Sequence, residues 1–115
     1  MSIQEFKTKL KGNPTSILFV ETMQVIEDNY NFTPTTFTNG DITNNAGENS
    51  GSCKVFAFAV HQKLTKEATL FCFGEHYKSV LEDIDGDSHQ NIRNFMKTGF
   101  KGLSFNENTL VVKEH

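Results

Sequence analysis

The chain has 115 residues, a net charge of −3 and eleven phenylalanines, and a pI of about 5.7. A chain of this length buries enough surface to fold around one core without disulfides or metals, so we predict a single domain over 1–115. It has no basic face for nucleic acid and no apolar run near the roughly 20 residues that cross a bilayer. With no secretory leader, we expect a cytoplasmic protein with reduced cysteines.

The first half of the chain predicts two helices and a hairpin. The first helix is expected over 3–11, because Ser2 and Glu5 have the spacing of a capping box. A second, deeply buried helix is predicted over 14–29, since proline is favoured at the first helical position. The Asn-Gly pair at 39–40 lies between short β-prone pieces and predicts a two-residue hairpin.

A polar loop at 44–52 precedes three further predicted helices. Capping serines, alanines and a helix-prone tail favour a third helix over about 53–63, although the apolar run VFAFAV alone is also compatible with a buried strand. The fourth helix is predicted over 66–83 with Gly74 inside it. The fifth begins after a Ser88 cap and ends at Thr98.

The end of the chain predicts β-structure. Two β-prone pieces flank 106–108 and indicate a C-terminal hairpin, which would join the Phe37 region in one sheet. The expected fold class is therefore α+β, with four to five helices packed against a small antiparallel sheet.

Four stretches of the chain carry a resemblance to a known family. In order, they are ETMQVIEDNYNFTPTTFTNG, NNAGENSGSCKVFAFA, CFGEHY and GDSHQNIRNFMKTGF. Together they resemble the HopJ type III effector protein family from about Leu18 to Phe105. The resemblance implies a bacterial protein injected into host cells by a type III secretion system, and it brings no established reaction, ligand or catalytic residue. The capped helix predicted at the start differs from a floppy export signal and leaves a role in the bacterial cytoplasm equally open.

Cys53 is the candidate nucleophile of an enzyme hypothesis. Its predicted place at the start of the third helix, beside Lys54, would lower the thiol pKa. His76 and His89 are the candidate bases for thiol-dependent hydrolysis or acyl transfer. The alternative interpretation is that Cys53 is a small apolar residue on the first turn of a buried helix.

The polar loop is the candidate binding site. The backbone amides that lead into the third helix predict an anion-binding concavity. Alternatively, the asparagine side chains only tie the loop to itself and to neighbouring strands. The leading hypothesis is a binding module for a protein partner or a small polar ligand. The candidate ligand-binding residues are Asn44, Asn45, Asn49, Ser52 and Lys54.

Metal and cofactor motifs are incomplete in this sequence. Cys72 and His76 have the spacing of two metal ligands on one helix face, but the sequence supplies no third ligand. The acidic stretch DIDGDSHQN lacks the glycine and the glutamate that a calcium loop requires, and GENSGSCK lacks the spacing of a phosphate loop. The sequence therefore predicts no metal site and no cofactor.

Overall fold

The computed structural model describes residues 2–106 and 108–113. In that part of the chain, six α-helices and five three-residue strands form an α+β fold, as predicted. The helices are α1 (Ile3–Gly12), α2 (Phe19–Asn29), α3 (Ser50–Gln62), α4 (Lys66–Phe71), α5 (Glu75–Glu82) and α6 (Gln90–Thr98). The strands are β1 (Tyr30–Phe32), β2 (Phe37–Asn39), β3 (Ile42–Asn44), β4 (Leu103–Phe105) and β5 (Leu110–Val112).

Helix α1 begins with the predicted capping box. The Glu5 N–H donates to Ser2 Oγ at 3.1 Å, and the Ser2 N–H donates to the Glu5 carboxylate at 3.4 Å. The Phe6 and Leu10 side chains of this helix are buried. These contacts dock α1 on the core and fix the start of the described chain.

The prediction of one helix over 14–29 is wrong. Pro14–Ser16 form a single 3-10 turn, and Ile17 and Leu18 are extended before α2 begins. The extended backbone buries the Ile17 side chain, which is 1% exposed. Helix α2 then gains its own cap, because the Leu18 N–H donates to the Glu21 carboxylate at 3.0 Å.

The predicted fourth helix is also two helices, α4 and α5, and they meet at Gly74. The backbone of Gly74 has φ +57° and ψ −126°, a conformation that favours glycine. A Cβ at this position would lie 2.5 Å from the Phe19 backbone nitrogen. The break therefore brings the start of α5 against the start of α2.

The strands form two small antiparallel sheets instead of the single predicted sheet. The predicted hairpin exists as β2–β3, but its two-residue turn is one residue later than predicted, at 40–41, because Asn39 pairs with Ile42. Gly40 has φ +64° in this turn. The predicted C-terminal hairpin is wrong, because β4 pairs with β2 and β5 pairs with β1. Its predicted turn at 106–108 contains residue 107, which lies outside the described residues.

An aromatic cluster around α3 forms the centre of the core. Five consecutive residues of α3, 55–59, are at most 4% exposed, so this helix is covered on all sides. The Phe56 ring lies 4.9 Å from the Phe95 ring and 5.4 Å from the Phe73 ring, measured between centroids. This packing fixes the position of α3 and therefore of its amino-terminal end. No helix in 2–106 or 108–113 has the length and apolarity needed to cross a membrane.

Candidate functional site

A cleft of about 500 Å³ lies between the amino-terminal end of α3, α5 and α6. We call it the α3 cleft. Its volume is within the range of small-molecule sites. The polar side chains that line it include Asn44, Asn49, Ser52, His76, His89 and Gln90. Its apolar lining consists of Phe19, Ile42, Phe73 and Ile92.

Helix α3 presents uncapped amides at this cleft. The helix begins at Ser50, three residues before the predicted start, and Asn49 adopts a left-handed backbone with φ 50° at the N-cap. No side chain caps this end; the Asn49 side chain donates instead to Asn44 Oδ1 at 2.6 Å. The first amides of a helix have no acceptor within it, and they carry the positive end of its dipole. Gly51 and Ser52, from this first turn, line the cleft.

Two histidines face each other across the cleft. His76 lies at the start of α5 and His89 immediately before α6, and their ring centroids are 5.1 Å apart. The His76 ring also packs edge-on against Phe19, with centroids 4.7 Å apart. The sequence analysis proposed both histidines as bases, and the fold brings them together although 13 positions separate them.

His89, and not Ser88 as predicted, occupies the N-cap of α6, with φ 52°. The reason lies in Arg93, whose guanidinium donates to the Ser88 carbonyl and to Ser88 Oγ, so the serine side chain is engaged elsewhere. The pKa of His89 is lowered by partial burial, and further by the neighbouring His76 and Arg93.

Two asparagines of the loop, Asn44 and Asn49, take part in a hydrogen-bonded network with Asn39 and Asn91. We call Asn39, Asn44, Asn49 and Asn91 the asparagine cluster. Asn44 Nδ2 donates to Asn91 Oδ1 at 3.2 Å, and Asn91 Nδ2 donates to Asn44 Oδ1 at 3.0 Å. Asn39 Nδ2 donates to Asn91 Oδ1 at 3.0 Å and to the Asn91 carbonyl at 2.8 Å. This network supports the structural interpretation for Asn44, because both ends of its amide are engaged.

Two of the predicted ligand-binding residues do not line the cleft. Asn45 lies in an exposed turn, where its N–H donates to the Glu48 carboxylate at 2.8 Å. Lys54 points to a different surface, with Nζ 4.9 Å from the centre of the Phe32 ring. The structure therefore does not bring these two residues together with the cleft, because the loop is shorter than expected and helix α3 turns Lys54 away from it.

The expectation of an activated Cys53 thiol is wrong. Because α3 begins at Ser50, Cys53 is its fourth residue, and its N–H already donates to the Asn49 carbonyl at 3.0 Å. The side chain is 2% exposed, with Sγ 3.9 Å from the Thr35 carbonyl oxygen. Burial raises the pKa of the Cys53 thiol, opposite to the predicted direction. Cys53 is not among the residues that line the α3 cleft with His76 and His89.

Cys72 does not share a metal site with His76. It is fully buried at the end of α4, and burial raises its thiol pKa to about 12. His76 lines the cleft and Cys72 does not. Within the described ranges, no three histidines, cysteines or carboxylates are grouped as metal ligands.

We predict that native Cys53 and Cys72 both react slowly with iodoacetamide near pH 7. Each thiol is buried with a raised pKa, so little thiolate is formed or reached. Mass spectrometry of the alkylated protein, with and without denaturant, measures this directly. Both thiols should label rapidly only after unfolding. Fast labelling of Cys53 alone in the native protein would contradict the burial argument.

The sequence analysis missed the aromatic part of the site. Phe19 and Phe73 belong to the aromatic core and also line the cleft, with ring centroids 6.3 Å apart. Gln90, which was assigned only to a helix, lines it as well. Phe19 and Phe73 have the helical spacing of core residues, so the sequence pattern does not predict an open cleft beside them.

These features define a small α+β protein with an open, amide-rich cleft at the end of its central helix. The sequence pattern of the family described as HopJ type III effector protein matches residues 3–110. The chain belongs to this family. It is also similar to the crystal structure of VPA0580, a protein of unknown function, with 52% sequence identity and a TM-score of 0.96 over 98% of this chain and 95% of that chain. A search of the curated proteins finds no match.

Proposed function

We propose that this protein is a binding module whose α3 cleft holds a small ligand rich in hydrogen-bond acceptors. One observation carries the proposal: two histidines from separate helices and the uncapped end of α3 converge on one cleft. Convergent polar groups above an apolar floor are characteristic of sites that orient a small molecule.

The chemistry of the lining favours a carboxylate or phosphate group on the ligand. Among the described residues that line the cleft, none is an aspartate, glutamate, lysine or arginine. The helix dipole supplies a positive field and free N–H donors, and each neutral imidazole supplies one further donor. Phe19 and Phe73 provide a surface for the carbon skeleton of the ligand.

Protonation of His89 should strengthen this binding. A histidine gains positive charge as the pH falls through its pKa, ordinarily about 6.5. The lowered pKa of His89 shifts this event to a more acidic pH, and a bound anion would raise the pKa again. The affinity for an anion should therefore increase from pH 8 towards pH 5.

We expect inorganic phosphate and citrate to shift the ring signals of His76 and His89 in an NMR titration, and to leave His61 unchanged. His61 is exposed and packs against Tyr30, outside the cleft, so His61→Asn is the matched control. His89→Asn should fold, because asparagine tolerates the left-handed backbone at this position. We expect it to weaken anion binding by about tenfold at pH 6, the loss typical of a charged hydrogen bond.

Two results would overturn the proposal. One is a titration in which neither anion moves His76 or His89 between pH 5 and pH 8. The other is an equal affinity for the native chain and for His89→Asn, which would place the bound anion elsewhere. Circular dichroism of the variant shows whether the fold is intact.

A further inference from the structure

Arg93 carries a buried positive charge, and no carboxylate of the described residues forms an ion pair with it. The side chain extends from α6 and is 8% exposed. Its guanidinium donates to the carbonyls of Ile84 and Ser88 and, at 3.5 Å, to Ser88 Oγ. In the part of the chain that the structure describes, Lys9 and Glu21 form the one ion pair with an N–O distance within 4.0 Å. No carboxylate oxygen of these described residues therefore lies within 4.0 Å of the Arg93 guanidinium.

The hydrogen bonds of Arg93 leave two of its guanidinium N–H groups without an acceptor among the described residues. A guanidinium has five N–H groups, and three of them have the acceptors just described. Carbonyl and hydroxyl oxygens orient the group and hold the turn before α6, but they bring no negative charge. Buried charges in proteins are ordinarily paired, because removing an ion from water is costly.

A second cavity, of about 440 Å³, adjoins this guanidinium, and we call it the Arg93 cavity. It lies between α5, the turn that follows it and α6. Arg93 and Lys97 supply its positive charge, while Asp85 is its one acidic lining residue within the described chain. Its apolar lining is formed by Val80, Ile84 and Met96.

We propose that the Arg93 cavity binds a monocarboxylate with a short apolar tail. The free edge of the guanidinium matches the two oxygens of a carboxylate, and Lys97 adds a second cation at the rim. The exposed Ile84 and the half-buried Met96 provide the surface against which the tail packs. Asp85 repels a dianion more strongly than a monoanion, so phosphate is the poorer ligand.

This site is separate from the α3 cleft. Gln90 lines both cavities, but the histidines line only the α3 cleft and Arg93 lines only the second cavity. The proposal therefore does not depend on the ligand of the α3 cleft, and signals of different residues report on the two sites.

The test uses hexanoate, its uncharged analogue hexanamide, and inorganic phosphate. We expect hexanoate to bind with a millimolar dissociation constant in calorimetry and to shift the Arg93 Nε–Hε signal in NMR spectra. Hexanamide should bind about tenfold more weakly, because its one acceptor oxygen carries no negative charge to pair with the guanidinium. Phosphate should shift the Arg93 signal less than hexanoate at the same concentration.

Three variants separate binding from folding. Lys97→Gln removes an exposed rim charge and should weaken hexanoate binding about threefold, the effect of a surface ion pair. Lys101→Gln changes an exposed lysine outside the cavity and should bind as the native chain does. Arg93→Lys keeps the charge but loses the planar fork, and we expect about tenfold weaker binding.

Several outcomes would overturn the proposal. These are equal affinities for hexanoate and hexanamide, an Arg93 signal that does not move up to about 10 mM hexanoate, or phosphate binding as tightly as hexanoate. An identical loss in Lys97→Gln and Lys101→Gln would also contradict it, since the loss would then be a general charge effect. If Arg93→Lys fails to fold, the native chain and Lys97→Gln still decide the question.

Discussion

Replacing Gly74 by alanine is expected to destabilise this protein by about 3 kcal/mol or more. Two costs add at this position. The backbone has φ +57°, which an L side chain rarely adopts, and the new Cβ would lie 2.5 Å from the Phe19 nitrogen and 2.9 Å from the Ile17 carbonyl oxygen. The obstructing atoms belong to backbone, so no side-chain rotation can relieve the clash.

Urea denaturation monitored by circular dichroism measures this loss as a change in the free energy of unfolding. The matched control is Gly12→Ala at the end of α1, where nothing lies within 4 Å of the new Cβ. Alanine should be neutral or stabilising there by up to about 1 kcal/mol. Equal effects of the two substitutions would show that the contact between the starts of α2 and α5 does not constrain the fold.

Replacing Asn91 by leucine is expected to cost about 2–3 kcal/mol of stability. The substitution removes the acceptor of Asn44 Nδ2 at 3.2 Å, which is then left unpaired at a site where Asn44 is 2% exposed. It also removes the Asn91 Nδ2 donor to Asn44 and one of the two acceptors of Asn39 Nδ2. Leaving a buried polar group without a partner costs more free energy than a formed hydrogen bond contributes, because the buried group can no longer bond to water.

Thermal and urea denaturation of Asn91→Leu measure the loss, with Asn45→Ala as the control. Asn45 is exposed and its side chain takes no part in the asparagine cluster, so its substitution should change stability by less than about 0.5 kcal/mol. A neutral Asn91→Leu would mean that the cluster is not a stabilising network. In that case the loop asparagines would be free to bind a ligand, as the leading hypothesis from the sequence proposed.

Gly74 and the asparagine cluster together position the α3 cleft. The close approach at Gly74 places Phe19 beside His76, since the Phe19 N–H donates to the Glu75 carboxylate at 2.8 Å. The cluster holds Asn49, the residue before α3, against α6. Gly74 lies outside the cleft lining, whereas Asn44, Asn49 and Asn91 of the asparagine cluster line the cleft that they hold in place.

Several local features were predictable because their causes are local. The capping box of α1 depends on two residues three positions apart, and the turn of the β2–β3 hairpin needs only a glycine, Gly40, that adopts positive φ. The breaks at Ile17 and at Gly74 were not predictable in this way. Each break exists because the two segments pack against one another, and 56 positions separate Phe19 from Glu75.

The amino-acid sequence by itself determined the α+β class, the aromatic core and the family. Composition, hydrophobic periodicity and the order of the four family-like stretches are all properties of the chain alone. Only the tertiary structure decided the strand partners, the burial of Cys53 and the meeting of His76 with His89. The physical reason is that the pKa of a thiol, the shape of a cavity and the pairing of side chains all depend on which segments, distant in sequence, pack together and exclude water. A helix that starts three residues earlier than its pattern predicts is enough to bury a thiol that would otherwise stand at its end.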